Sequence, residues 1–176
     1  MKKFLLLLLI SLPLLAANLQ LKEGFVAAHT EMMMDSTIDP LNNHLHADLT
    51  MQADDVTSLR GKLWVEMSLF SSDNVDRDQH MHETNEVEKY PLATYTISNV
   101  TKTDNGTYTI DGELNFYGQN RPFALQAEIL LQEETISINA TSKIRVSDFG
   151  MEMPCIMFMC VRDQVDIFAK AVLIKR

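Results

Sequence analysis

The sequence predicts an all-β domain, an eight-stranded antiparallel β-barrel with a short helical insertion around residues 74–86. Three observations carry this expectation. Apolar and polar residues alternate with period two along most of the chain, the pattern of strands with one buried and one wet face. The runs are joined by short links, about three of them before the charged stretch Arg77 to Pro91 and about five after it. Glycine and proline are sparse, 6 and 5 among 176 residues, so alternation is the dominant signal.

At the N-terminus, Met1-Lys2-Lys3 is a basic head and Phe4 to Leu15 an almost unbroken apolar run, followed by the small pair Ala16-Ala17 and polar Asn18. That is the layout of a secretory signal peptide. It is expected to cover residues 1–17, leaving 18–176 as one exported domain, periplasmic or secreted. The apolar run is shorter than the ~20 residues a bilayer span needs, and no other stretch is long enough, so no span is expected after cleavage. An uncleaved anchor is the rival reading.

The strands follow in order. Val26, Ala28, Thr30 and Met32 share one face, opposite Ala27, His29 and Glu31. Leu45, Ala47, Leu49 and Met51 alternate with His44, His46, Asp48 and Thr50. After Arg60-Gly61, Leu63, Val65, Met67 and Leu69 alternate with Trp64, Glu66 and Ser68. The Arg77 region breaks the pattern as one or two helical turns, with Asp73 or Asn74 available as the N-cap.

Past Pro91, Ala93, Tyr95 and Ile97 resume the alternation. Asp104-Asn105-Gly106 predicts a two-residue hairpin, because Asn-Gly tolerates the positive φ of a type I′ turn. Tyr108, Ile110, Gly112, Leu114 and Phe116 form the next apolar face, and Gly118 to Pro122 predicts a turn. Phe123, Leu125, Ala127, Ile129 and Leu131 come next, then a turn at Glu133-Glu134, then Ile136, Ile138, Ala140 and Ile144. The last run, Val161 to Ile174, places Val165 and Ile167 opposite Asp166. Closing such a meander into a barrel protects its edges. A two-sheet sandwich shares the pattern and is the alternative architecture.

Charge narrows the partners. Loss of Lys2 and Lys3 with the signal peptide would take the net charge from −9 to −11. So acidic a surface, with no basic stripe, repels phosphate backbones and excludes nucleic acid as a partner. Oligomeric state is left open, a homodimer included.

Cys155 and Cys160 are the only cysteines. In an extended strand their α-carbons would stand roughly 16 Å apart, beyond the ~7 Å a disulfide tolerates. A bridge therefore requires the chain to double back, and two free thiols are the alternative. The surrounding segment, Asp148 to Cys160, is apolar on both parities and rich in methionine. It reads either as a pliable loop over an open barrel end or as a strand buried on both faces.

Several pieces occur in a recognisable order: Arg77-Asp78-x-His80, Val87-Glu88-Lys89-Tyr90-Pro91, Gly112-x-Leu114…Gly118…Pro122, Ser147-Asp148-Phe149-Gly150, and Val161-Arg162-Asp163-x-Val165-Asp166-Ile167. Together they resemble the YceI-like family. The resemblance implies a lipocalin-like barrel that is exported, holds a polyisoprenoid or fatty-acid-derived chain in a tunnel for transport or storage, and has no catalytic machinery or cofactor. Met151 to Cys160 departs from the family pattern.

The residues themselves agree on the physics. An interior of Tyr95, Ile97, Tyr108, Ile110, Leu114, Phe116 and Leu125 has apolar walls, and each methylene buried there contributes about 0.8 kcal/mol. Val65 and Met67, with Phe149, Ile156 and Phe158 from the methionine-rich segment, complete the expected ligand contacts. Arg77 and Arg162 are the candidates to meet a polar head. A barrel filled by its own side chains is the alternative.

The other function class is a metal or redox-accessory protein. His44 and His46 share a strand face, His29 could lie beside them, and three imidazoles can hold zinc or copper. Met32-Met33-Met34 with Met151 to Cys160 would supply soft copper(I) donors. On the alternation the histidines face outward, so no metal ligand is assigned. His80 is expected to order its own segment with Asp78 or backbone groups. Asp148 and Asp163 are expected to fix loops by local hydrogen bonds. No nucleophile-elbow, phosphate-loop or dinucleotide motif is present.

Overall fold

The structure is a computed structural model that describes residues 16–32, 36–153, 155–156 and 159–175. Residues 1–15 of the expected signal peptide lie outside the described residues, whereas Ala16 and Ala17 open the first strand and pair with Gln52 and Met51.

Eight long antiparallel strands form the wall: β1 (Ala16–Met32), β4 (His46–Gln52), β5 (Asp55–Glu66), β6 (Leu92–Lys102), β7 (Tyr108–Phe116), β8 (Gln119–Leu131), β9 (Thr135–Arg145) and β12 (Gln164–Lys175). Each pairs with the next, and β12 pairs with β1 from Leu19↔Lys175 to His29↔Asp166, which closes the barrel. Closure rules out the sandwich. It also removes the exposed edges that an open meander would carry. Two short strands, β2 (Ser36–Ile38) and β3 (Leu41–Asn42), pair with β1, and β10 (Cys155–Ile156) pairs with β11 (Met159–Cys160). One helix, α1 (Val75–Thr84), joins β5 to β6.

Local chemistry sets α1. The Asn74 side chain caps it by accepting from the Arg77 N–H at 3.0 Å, and Asp76 and Asp78 sit in its first turn, where the helix dipole favours negative charge. No residue of α1 is buried. It is held by the packing of half-buried Met81 on the core and by hydrogen bonds. Asp78 accepts from the Ser71 and Ser72 hydroxyls at 2.6 Å each, and the His82 Nε2 lies 2.9 Å from the Phe70 carbonyl. His82, rather than His80, is therefore the histidine that orders this segment.

Three turns differ from expectation. The Asn105-Gly106 link is not type I′. Gly106 alone has positive φ (87°) and donates to the Thr103 carbonyl at 3.1 Å, giving a longer loop between Lys102 and Tyr108. The link with two positive φ values is Tyr117-Gly118 (49° and 71°), directly between the paired residues Phe116 and Gln119. Tyr117 is held there by its hydroxyl bond to Glu86 and by ring packing on Tyr90 at 4.6 Å. The expected Gly118–Pro122 turn is accordingly confined to its first residue, and from Gln119 on the chain is strand, with Pro122 opposite Glu113. The third strand begins at Asp55, runs through Gly61 and ends at Glu66, where Met67–Leu69 coil into a single 3-10 turn.

Candidate functional site

Inward-facing side chains do two different things along the barrel axis. At the end holding the β4–β5, β6–β7 and β8–β9 turns, Leu19, Met51, Val56, Leu59, Val100, Ile136 and Leu173 are buried and fill the interior. Towards the α1 end the interior is hollow. A cavity of about 320 Å³ lies there, floored by Leu49, Ile97, Ile110, Leu125, Ile138 and Ala140. The barrel is thus plugged in one half and open in the other.

The floor is braced by Tyr95. Its hydroxyl donates to the Ile110 carbonyl at 2.8 Å and the Phe123 carbonyl at 3.1 Å, and its ring meets Phe123 edge-on at 6.2 Å. Burial pushes its phenol pKa above the ordinary value, so the group stays a neutral donor. At the other end a few polar side chains join a lining that stays almost wholly apolar. Arg77, His80, Thr84 and Asn85 from α1 join Thr30 of β1, with Met81, Met151, Met153 and Val161 among them. Asp163 ties down the segment that carries these methionines. Its carboxylate accepts from the Ser147 N–H at 2.8 Å and the Ser147 hydroxyl at 2.7 Å, and pairs with Arg145 at 3.2 Å. Those bonds hold its pKa below the usual carboxylate range, the Ser147 backbone N–H contributing most. Asp148 works through its backbone, its carbonyl accepting from Arg121 at 3.1 Å.

Of the expected ligand contacts, Val65, Met67, Tyr95, Ile97, Ile110, Leu114, Phe116, Leu125 and Arg77 line the cavity. Three are placed elsewhere. Tyr108 packs against the filled core, because it sits at the plugged end of β7. Phe149 does not line the cavity but is buried behind it, beside the lining residues Ile144, Val146 and Met151 and edge-on to Phe116 at 5.5 Å. Arg162 is an exposed residue ion-paired to Glu31. Phe158 and the side chain of Ile156 lie outside the described residues.

Much of the wall was not singled out. Val26 and Ala28 of β1, Ile138 and Ala140 of β9, and Val165 and Ile167 of β12 all line the cavity. Their alternation was visible, but nothing local says that β1 and β12 are neighbours. Met151 and Met153 line it too, so the methionine-rich segment reaches the cavity with these two of its described residues.

The cysteines are joined. Cys155 and Cys160 face each other across the β10–β11 pair with α-carbons 4.0 Å apart, the doubling-back that a bridge requires. Both sulfurs are thereby removed from the metal-donor set. The histidines do not converge either. His29 Nδ1 lies 2.5 Å from Asp39, which raises its pKa; His44 sits in the link before β4; His46 stacks on Trp64 at 5.4 Å. Among the described residues no three His, Cys, Asp or Glu side chains are grouped to hold a metal ion, and no helix is long and apolar enough to cross a membrane. Met33 and Met34 lie outside the described residues.

Comparison with known proteins agrees with this architecture. A UPF0312 protein of Vibrio cholerae is 24% identical over 97 residues, 51% of each chain, and one of Pseudomonas putida is 28% identical over 91 residues, 47% of each. The chain thus spans about half the length of the curated relatives it matches. Among solved structures, BcnA of Burkholderia cenocepacia superposes with a TM-score of 0.75 at 15% identity, covering 85% of this chain and 95% of that one. A polyisoprenoid binding domain from Saccharophagus degradans, implicated in plant cell wall breakdown, superposes with a TM-score of 0.69 at 12% identity, covering 92% and 99%. At such identities these likenesses show the fold alone. The YceI-like domain model, however, matches residues 18–173 in one piece, and by that match the chain belongs to the YceI-like family.

Proposed function

We propose that the protein is an exported, non-catalytic binding protein that shelters a long apolar chain, polyisoprenoid or fatty-acid-derived, in the hollow half of its barrel for transport or storage. The observation that carries this reading is the cavity itself, about 320 Å³, walled by aliphatic and aromatic side chains and plugged at one end. That volume is at the lower edge of the ~300–1,000 Å³ usual for small-molecule sites. Each methylene buried there contributes about 0.8 kcal/mol, so a slim chain binds without a strong polar anchor. Polar residues are gathered at the α1 end, where Arg77, His80 and Asn85 suit the head of an amphipathic ligand. Family membership and the polyisoprenoid-binding neighbour support a binding role. Export to the periplasm follows from the basic and apolar N-terminus, and N-terminal sequencing of fractionated protein tests it.

The deciding experiment is organic extraction of purified protein with mass identification of the extract. An isoprenoid or fatty-acid-derived chain at near-stoichiometric yield is expected. Empty protein that also fails to take up added farnesol or palmitate would overturn the reading.

A further inference from the structure

The barrel wall has one seam that is not zipped. The β1–β4 ladder covers only Ala16–Leu19 against Gln52–Leu49. On that side β1 regains a neighbour at Val26 and Ala27, which pair with β3. Among the described residues, Leu21 to Phe25 have no ladder partner there, although the other edge of β1 stays paired to β12 through a bulge between Leu21 and Glu23. An outer slot lies over the seam, lined by Leu21, Gly24, Leu45, Ala47 and Trp64 and also by the polar or charged Lys22, Glu23, Asn43, His44 and His46.

Leu45 and Trp64 also line the inner cavity, so the slot and the hollow share a wall. Leu45 is the side chain that fills it. It is 8% exposed and rests on Gly24 so closely that a Cβ at residue 24 would stand 2.7 Å from its Cδ2. No hydrogen bond holds an aliphatic side chain in that position. Outside it, the Trp64 and His46 rings stack at 5.4 Å with planes 11° apart, a flat shelf at the slot's rim.

We propose that this seam is a side port. A chain too long for the hollow displaces Leu45, passes between β1 and β4, and lies against the Trp64–His46 shelf. The inference rests on the apolar-chain reading above and adds the route of the overflow. The physical argument is one of size and balance. The cavity is small and its far end is plugged, so surplus chain must leave either past α1 or through the wall. Swinging Leu45 out of its packing against Val65, Met67, Phe70 and Ala171 gives up the burial of one leucine, which the apolar area that a few threaded methylenes remove from water offsets. The zipped seams offer no such route, since passage there would break ladder hydrogen bonds.

The test uses two prenols, farnesol and solanesol, the latter also carrying a diazirine at its ω end. Ala47 lines the slot and not the hollow, although it also packs against the filled core, so Ala47→Phe narrows the port and farnesol binding checks that the hollow is intact. Photolabelling of wild type is expected to mark Gly24, His46 or Ala47, which line the slot and not the hollow. Ala47→Phe is expected to weaken solanesol at least about tenfold while farnesol, the check on folding, binds as before. Label confined to α1 and the methionine segment, or equal solanesol affinity in both proteins, would overturn the port while leaving the carrier reading intact. Failure of wild type to bind either prenol would remove the carrier reading and the port with it.

Discussion

The ring of Tyr95 occupies the space that a side chain at Gly112 would need: a Cβ built on Gly112 would stand 2.7 Å from Tyr95 Cζ and 2.8 Å from its Cε2. The same Cβ would also press on the Thr96 carbonyl of the neighbouring strand. Two bonds from the Tyr95 hydroxyl, to Ile110 and Phe123, fix that ring across β6, β7 and β8 at the floor of the cavity. Gly112→Ala is therefore expected to destabilise the barrel by about 1–3 kcal/mol through overpacking and to push the ring towards the hollow. Urea denaturation with a farnesol titration checks both effects. An alanine variant as stable as wild type would show that the contact is slack.

Ala140 is a small residue on the cavity wall, 5% exposed. Ala140→Phe is expected to fill the hollow with its own ring and lower farnesol affinity at least about tenfold, with the far-UV spectrum of the barrel unchanged. Lipid recovered at wild-type yield from this variant would place the ligand elsewhere.

Cys155 and Cys160 close a short loop outside the barrel's strand ladder. Alkylation of unfolded, unreduced protein should label neither cysteine, and prior reduction should expose both. Because the cross-linked loop is small, replacing both residues by serine is expected to cost no more than roughly 2 kcal/mol in the chain-entropy account, with the barrel retained. Loss of the β-sheet spectrum in the double variant would instead make the hairpin part of the folding core.

Asp163 provides a pH test. Its folded-state pKa is depressed, chiefly by the Ser147 N–H. Its contribution to stability is thus fully present above the unfolded-state value and lost as pH falls through the folded one. Asp163→Asn should melt below wild type at neutral pH, with the gap narrowing as the solution is acidified into and below the usual carboxylate range. A gap that stays constant with pH would assign the loss to packing.

How much of this was legible beforehand differs by level. Strand parity was. Ile97, Ile110, Leu114 and Leu125 face inward as their alternation requires, because period two is a property of a single strand and needs no neighbour. The position and cap of α1 were legible for the same reason, Asn74 acting on a backbone N–H three residues away. Turn type was not. Tyr117 holds φ at 49° only with Glu86 and Tyr90 packed against it, and both come from another segment.

Sequence alone therefore settled the class of this protein, an antiparallel barrel of the YceI-like family, because hydrophobic alternation and the spacing of short motifs are written locally. Tertiary structure decided which inward residues plug the barrel and which wall a hollow. Tyr108 and Leu114 share a strand and a face and both pack on the core, yet only Leu114 also lines the hollow. The difference is depth along the barrel axis, set by how eight strands stagger against one another, and no single strand records it.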